Sequence, residues 1–475
     1  MTRTAPANTD LVTLKGLSAI HAFIDFYNDP VGCVEKIHQR HGNTIALDAP
    51  FLRPSGTPQS YLLVGPDHNR AILLNQESFR PTGAWPVRGK KGSSLQNLRR
   101  NILCMRGEEH DAHLAAILPL MSRPRVKLFF DRVMMITTEN TKRWPTGQTI
   151  DATALARTLT QHLSFDLLFG AQSPDEIEGF GSRIDAFHND SWSRAALSFP
   201  IDAPMTPYRQ LMRSAKALED FSIDWNAAEK KCPVHDNIRA AMNDVVLPDG
   251  KTPDKTQQAA NVAAIGMASF ETSASTLSWA LFMLTQHPTI HAALVDELDN
   301  LGPLSDIDAE TLDQQPLLDG VVKETMRLIT PVPVIGFEAM DHATVASISI
   351  RKGARVFISP HLTHRLPSLY ERPRQFLPDR WSSIKPSAYE YLPFNAGPRR
   401  CPGIWFASAN LKIALASILT QYSVELAPNA VINRGYAATT ISKTGIPIIF
   451  SARTDKFSRS DCAGTILKFF DAQAA

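Results

Sequence analysis

The chain has 475 residues, 44% of them hydrophobic, enough to bury a sizeable core. Lysine plus arginine number 49 against 47 aspartate plus glutamate, and the net charge of +2 excludes a global electrostatic drive toward nucleic acid or an anionic membrane. The five cysteines, Cys33, Cys104, Cys232, Cys401 and Cys462, form no CxxC pair and suggest neither a disulfide framework nor a zinc site, which fits a reducing cytoplasm.

The first thirty residues interleave Arg3, Thr9, Asp10, Lys15, Asp25 and Asp29 with apolar positions, and no run reaches the length of a membrane span or signal-peptide core. A protein without a membrane anchor is expected. From Asp29 a helix is predicted through Val34, Ile37 and His38, ended by Gly42. The runs 44–47 and 61–64 read as strands of a small sheet. Residues 80–100 read as a Gly-, Pro- and Ser-rich loop carrying Arg80, Arg88, Lys90, Lys91, Arg99 and Arg100. These cations suit either a substrate carboxylate or a solvated loop face.

Helical periodicity then dominates from Gly107 to about Leu328. Thr206 as N-cap and Pro207 in the first turn predict a helix over 208–225. A second helix is predicted to open after Pro253 and run to Gln286, where His287 and Pro288 stop it. That length is unusual for a globular helix. Beyond Pro331 the runs 344–350 and 355–358, bounded by Gly and Pro, read as strands. The expected fold class is mainly α with small β-sheets (α+β). No repeat or composition shift marks a linker, so one domain over 1–475 is expected.

The most informative stretch is Phe394-Asn395-Ala396-Gly397-Pro398-Arg399-Arg400-Cys401-Pro402-Gly403, followed by apolar helical positions at Trp405, Phe406, Ala409, Ile413, Leu415 and Leu419. It reads as a glycine-hinged loop presenting a thiol at the start of a helix, where unpaired N–H groups and the dipole favour the thiolate. A thiolate on haem iron pushes electron density toward bound oxygen. Gly397 and Gly403 suit backbone that turns sharply and lies close to a flat cofactor. Taken alone, a cysteine here also suits a buried structural role.

The segment resembles the haem-binding signature of the cytochrome P-450 family, Phe-x-x-Gly-x-Arg-x-Cys-x-Gly-x-x-x-Ala, matched by Phe394, Gly397, Arg399, Cys401, Gly403 and Ala407. Glu324 and Arg327, three apart on one helix face, resemble the family's Glu-x-x-Arg pair. Arg380, in Pro378-Asp379-Arg380-Trp381, resembles its third member. The stretch Ala268-Ser269-Phe270-Glu271-Thr272-Ser273 resembles the acid and alcohol of the family's long central helix over the haem, with Ser269 where Gly is usual. A Glu and a Thr inside an apolar helix are costly without a partner or a task.

The resemblance covers about 29–450, leaving 1–28 and 451–475 as terminal extensions. It implies haem b (iron protoporphyrin IX) on Cys401, with Arg399 and His110 toward the propionates and His113 as a further candidate. Phe337 stands where a propionate-binding Arg is common, and Leu114 where another is. The implied reaction inserts one oxygen atom of dioxygen into a small apolar organic substrate, with Glu271 and Thr272 delivering protons. Trp85, Leu95, Ala264, Ala268, Val334, Ile335 and Ile441 fall in segments resembling the family's substrate contacts. Ala264, Ala268 and Thr272 share a helix face. Arg123, Arg125 and Lys127 resemble the region receiving an acidic electron carrier, so a separate ferredoxin- or flavodoxin-type donor with its reductase is expected. A peroxide-using or redox-neutral enzyme is the alternative within the fold, and a haem sensor or carrier the alternative from another class.

Overall fold

The two apolar periods of the sequence, two and 3.6, sort into different parts of the chain. The structure is a computed structural model describing residues 11–48, 59–83, 85, 89–171, 173–228, 237–454 and 456–471. One unit comprises Met1–Thr82, Val332–Pro373 and Pro386–Cys401; the other comprises Gly83–Pro331, Arg374–Lys385 and Pro402–Ala475.

The first unit is built on a six-stranded sheet in the order Val12–Lys15, Thr44–Asp48, Ser60–Leu63, Arg355–Ile358, Ile335–Ala339 and Phe79–Pro81. Thr44–Asp48 runs antiparallel to Ser60–Leu63, and Ser60–Leu63 runs parallel to Arg355–Ile358. Tyr61, Leu63, Phe79, Val356 and Ile358 fill its core together with Phe337. Phe337 is therefore a core residue of the sheet. The helix Pro30–His41 begins where the Asp29 side chain accepts from Gly32 N at 3.0 Å, and Gly42, at φ 80, ends it as predicted.

One predicted strand, 344–350, is instead a hairpin of Ala343–Val345 and Ile348–Ile350. Its turn residues Ala346 and Ser347 have φ 47 and 49. Burial explains the difference. Val345, Ile348 and Ile350 all enter the core, yet a straight strand puts positions three apart on opposite faces.

The second unit is organised by the 32-residue helix Lys255–Gln286. Asp254 caps it, accepting from Gln257 N at 2.9 Å, so it starts two residues beyond Pro253. It is buried on nearly all sides, as an all-round apolar helix must be. Helices Ala152–Phe169, Pro207–Ala227, Pro316–Leu328 and Ile404–Gln421 pack on it. Pro207–Ala227 has the predicted cap, with Thr206 Oγ1 accepting from Arg209 N at 3.2 Å. Gly266 lets the long helix approach an aromatic cluster, since a Cβ there would lie 2.6 Å from the Phe180 ring.

Two small elements complete this unit's frame. The hairpin Arg434–Ala437 and Thr439–Ser442 is tied to the long helix, with Thr440 O accepting from Ser275 Oγ at 2.7 Å and Trp279 Nε1 at 3.0 Å. The described residues near the C-terminus pack on this unit: Phe469 and Phe470 are buried, and Arg374 Nε donates to Asp471 Oδ1 at 2.9 Å.

The 80–100 stretch is less open than its composition suggests, with a one-turn helix Ser94–Asn97 capped by Ser93. Its cations are largely committed to structure. Arg80 pairs with Glu338 at 3.0 Å, Arg100 pairs with Asp254 at 2.7 Å, and Arg99 donates to Trp85 O at 2.6 Å. Lys90 and Lys91 are exposed, and Arg88 lies outside the described residues.

Candidate functional site

In the first unit, Phe394–Cys401 folds into a tight loop around two left-handed residues, Asn395 at φ 56 and Gly397 at φ 63. Asn tolerates that region because its amide bonds locally, and here Asn395 Oδ1 accepts from Ala396 N at 2.9 Å. Gly397 has a second constraint, because a Cβ would sit 3.4 Å from Leu73 O. A 3-10 turn Gly397–Arg399 follows, and Cys401 N closes the loop on Phe394 O at 2.8 Å. The Cys401 thiol is thus fixed through its own backbone and half-buried.

Two expectations for this segment change. The following helix begins at Ile404 with Gly403 as N-cap, so Cys401 stands two residues outside the cap. Gly403 has φ −81 and ψ 11, a conformation open to any residue, so the sharp turn falls on Asn395 and Gly397. The dipole argument for a thiolate is accordingly weaker than the sequence suggests.

In the second unit, Glu271 and Thr272 lie side by side on an unbroken helix that runs straight through Ser269. Thr272 Oγ1 donates to Ala268 O at 3.3 Å, and Ser269 Oγ donates to Gly266 O at 2.8 Å. Glu271 is buried and ionically held. Its Oε2 is paired with Arg157 and its Oε1 accepts from Thr439 Oγ1 at 3.3 Å. Arg157 also pairs with Asp185. Burial alone would lower the Arg157 pKa, but the carboxylates of Glu271 and Asp185 raise it above the ordinary arginine value. For Asp185 burial wins, pushing the carboxyl up despite its cation. Arg157, Asp185 and Thr439 escaped the sequence reading, because nothing in their local patterns separates them from surface or core polar residues.

Glu324, Arg327 and Arg380 form one cluster, fully buried at its centre, with Glu324 and Arg327 both at 0% exposure. Arg327 grips Glu324 through Nε and Nη2, each at 2.9 Å, in the bidentate geometry that suits a guanidinium. Arg380 Nε donates to Oε1 at 3.0 Å. Two donors went unforeseen, Trp381 Nε1 at 3.1 Å and Leu377 N at 3.0 Å.

His110 is buried, with Nδ1 3.1 Å from Asp111 Oδ1. His113 is buried completely; its Nδ1 bonds Glu109 O at 2.8 Å, while Nε2 has no partner among the described residues. An orphaned buried ring nitrogen is costly unless a ligand satisfies it. Among the predicted pocket residues of this unit, Trp85, Leu95 and Ala264 are buried, whereas Ala268 and Ile441 are half-buried. Trp85 meets the Phe187 ring edge-on at 4.9 Å. In the first unit Val334 is buried with Leu362, and Ile335 is half-buried. The basic cluster is partly neutralised: Arg123 holds Asp313 at 3.0 Å and Lys127 holds Glu310 at 2.8 Å.

A mainly helical frame, a positioned thiol and a buried Glu–Arg–Arg cluster define the class, and similarity to known proteins gives the family. The sequence profile described as Cytochrome P-450 matches residues 32–445. The chain belongs to the cytochrome P-450 family. A sterol 14alpha-demethylase of Mycobacterium bovis is 25% identical over 425 residues, which is 85% of this chain and 89% of that protein. A sterol 14alpha-demethylase of Mycolicibacterium vanbaalenii is 34% identical over 165 residues, 34% of this chain and 36% of that protein. Cytochrome P-450 3A28 of Bos taurus is 28% identical over 295 residues, 54% of this chain and 57% of that protein. The chain thus spans about a third to just over half the length of these last two relatives. The fold is shared with retinoic acid bound cyanobacterial CYP120A1 at a TM-score of 0.77 and 21% identity, over 90% of this chain and 96% of that one. Among the described residues no helix is long and apolar enough to cross a membrane.

Proposed function

We propose that this protein is a haem-thiolate monooxygenase acting as one catalytic domain, which inserts one oxygen atom of dioxygen into an apolar organic substrate of some bulk. Haem b, ligated by the Cys401 thiolate, would supply the iron centre at which dioxygen is reduced and one of its atoms transferred. The donor set fits such a group. The first unit offers a half-buried thiol on a fixed loop with the guanidinium of Arg399 two residues before it, and the second offers His110 and His113, whose Nε2 has no partner among the described residues. Phe394 and Gly397 shape the loop, Gly403 caps the helix that follows, and Glu324, Arg327 and Arg380 brace the fold.

The observation that carries the reading is the acid and alcohol side by side on the long helix. Cleaving dioxygen consumes protons, and a positioned acid and hydroxyl supply them where bulk water is excluded. Because the Thr272 hydroxyl gives its own proton to Ala268 O, its lone pairs remain to hold a water. Glu271 would recharge that water. The apolar character of Trp85, Leu95, Ala264, Ala268 and Ile441 in the second unit, and of Val334 and Ile335 in the first, supports an apolar substrate. The name of the mycobacterial relatives, sterol 14alpha-demethylase, points the same way. Electrons would come from a ferredoxin- or flavodoxin-type donor with its reductase, in the cytoplasm.

Replacing Thr272 by Ala tests this. Haem and substrate binding should persist, while product per reductant falls by about tenfold or more and hydrogen peroxide accumulates. Added peroxide should partly restore product. Ser273 follows directly, but lies roughly 100° further round the helix. Unchanged coupling in both Thr272→Ala and Glu271→Gln overturns the assignment.

A further inference from the structure

The charge on Glu271 is shared by a second carboxylate. The Arg157 guanidinium bridges Glu271 Oε2 and Asp185 Oδ1, and its Cζ lies 5.3 Å over the Phe270 ring. Thr439 Oγ1 holds the other oxygen of Glu271 at 3.3 Å, and Gln161 Nε2 approaches Asp185 Oδ2 at 3.5 Å. His188 stands one turn beyond Asp185, and burial lowers its pKa. Its ring nitrogens make no hydrogen bond of good geometry, although the Ala437 backbone lies close enough to act on the ring.

The charges do not balance. Two carboxylates face one guanidinium, which cannot give up its proton, so the fully ionised cluster carries one surplus negative charge. Removing that charge from water is expensive, and binding one proton cancels it. Exposure grades outward through the cluster, with side chains 6% exposed at Glu271, 24% at Arg157 and 34% at Asp185.

We propose that Asp185 is the outer carboxylate of the proton supply to Glu271, the two sharing a single proton across Arg157. A proton from water is taken up at Asp185 Oδ and handed to a bridging water, which gives a proton to Glu271 Oε, so that Asp185 is left ionised again. Arg157 keeps its charge throughout and shifts its hydrogen bonds toward whichever carboxylate is ionised. Asp185 acts through Glu271 and is a positioning residue. The inference rests on Glu271 being the proton donor proposed above.

Three variants test it: Glu271→Gln, Asp185→Asn and Asp185→Glu. Asp185→Asn should bind haem, carbon monoxide and substrate as before, yet lower product per reductant by about tenfold. Asp185→Glu should recover most of the coupling. The double variant should be no worse than Glu271→Gln alone. A reading without turnover comes from the infrared carbonyl band of a protonated carboxyl group in the resting protein. Removing either carboxylate leaves a balanced ion pair with no need of the proton, so both Glu271→Gln and Asp185→Asn should abolish the band. If Glu271→Gln uncouples and loses the band while Asp185→Asn keeps both, Asp185 has no part in proton supply. If Glu271→Gln itself stays fully coupled, the assignment of Glu271 is wrong and this proposal falls with it.

Discussion

Cys401→Ser is expected to abolish the red-shifted carbon monoxide band of the reduced, haem-loaded protein, with the fold intact. Serine is nearly the same size, and the loop's own bonds, Cys401 N to Phe394 O at 2.8 Å and Asn395 Oδ1 to Ala396 N at 2.9 Å, involve no sulfur. What changes is donor strength, since an alcohol is a poor ligand for iron beside a thiolate. Other cysteines are poor substitutes. Burial pushes the Cys33 thiol up to about 12, and it donates to Ala22 O at 3.1 Å. Burial also raises the Cys462 thiol, which bonds Gln286 Oε1 at 3.6 Å. Substituting Cys33, Cys104 or Cys462 should therefore leave the band in place, as should Cys232, which lies outside the described residues. Difference spectra of the reduced protein with and without carbon monoxide decide the matter. A band surviving in Cys401→Ser would assign the ligand elsewhere.

Legibility tracked how local the determining physics was. The helix Pro30–His41 and the strand Arg355–Ile358 were readable because cap, period and stop signals all lie within the segment. The hairpin at Ala346 and Ser347 was not, because neither residue advertises a left-handed turn; only the shared burial of Val345 and Ile348 forces one. The same division holds at the site. Cys401, Glu271, Thr272 and the Glu324–Arg327 pair stand in short motifs. Arg157 and Thr439 reach Glu271 from 114 and 168 residues away, and Asp185 joins them 28 residues from Arg157. Pairing over such separations is decided by packing, and no local pattern records it. The cations of 80–100 show the converse error. Charge is visible in sequence, but whether it is already spent, as with Arg100 on Asp254, is not.

Glu324→Ala is expected to cost the protein most of its stability and nearly all of its haem-loaded yield. The Glu324 carboxylate accepts from Arg327 Nε and Nη2, Arg380 Nε, Trp381 Nε1 and Leu377 N, all within 3.1 Å. Deleting it strands two guanidinium groups in a site where Arg327 has no exposure and Arg380 only 9%. Breaking one buried pair costs about 3–5 kcal/mol, against a net stability of about 5–15 kcal/mol for a typical domain. Arg327→Ala should be nearly as severe, for it leaves Glu324 one cation instead of two and frees Gln375 O, which accepts from Arg327 Nη2 at 3.1 Å. Glu324→Gln separates charge from shape. It fills the same space and keeps one oxygen acceptor, but presents an NH2 to donors on the other side, so it too should be destabilised, by less than Ala. Thermal unfolding with haem quantification ranks the variants as wild type above Gln above Ala. Wild-type melting and haem content in Glu324→Ala would reduce the cluster to an ordinary surface bridge, worth about 0–1 kcal/mol.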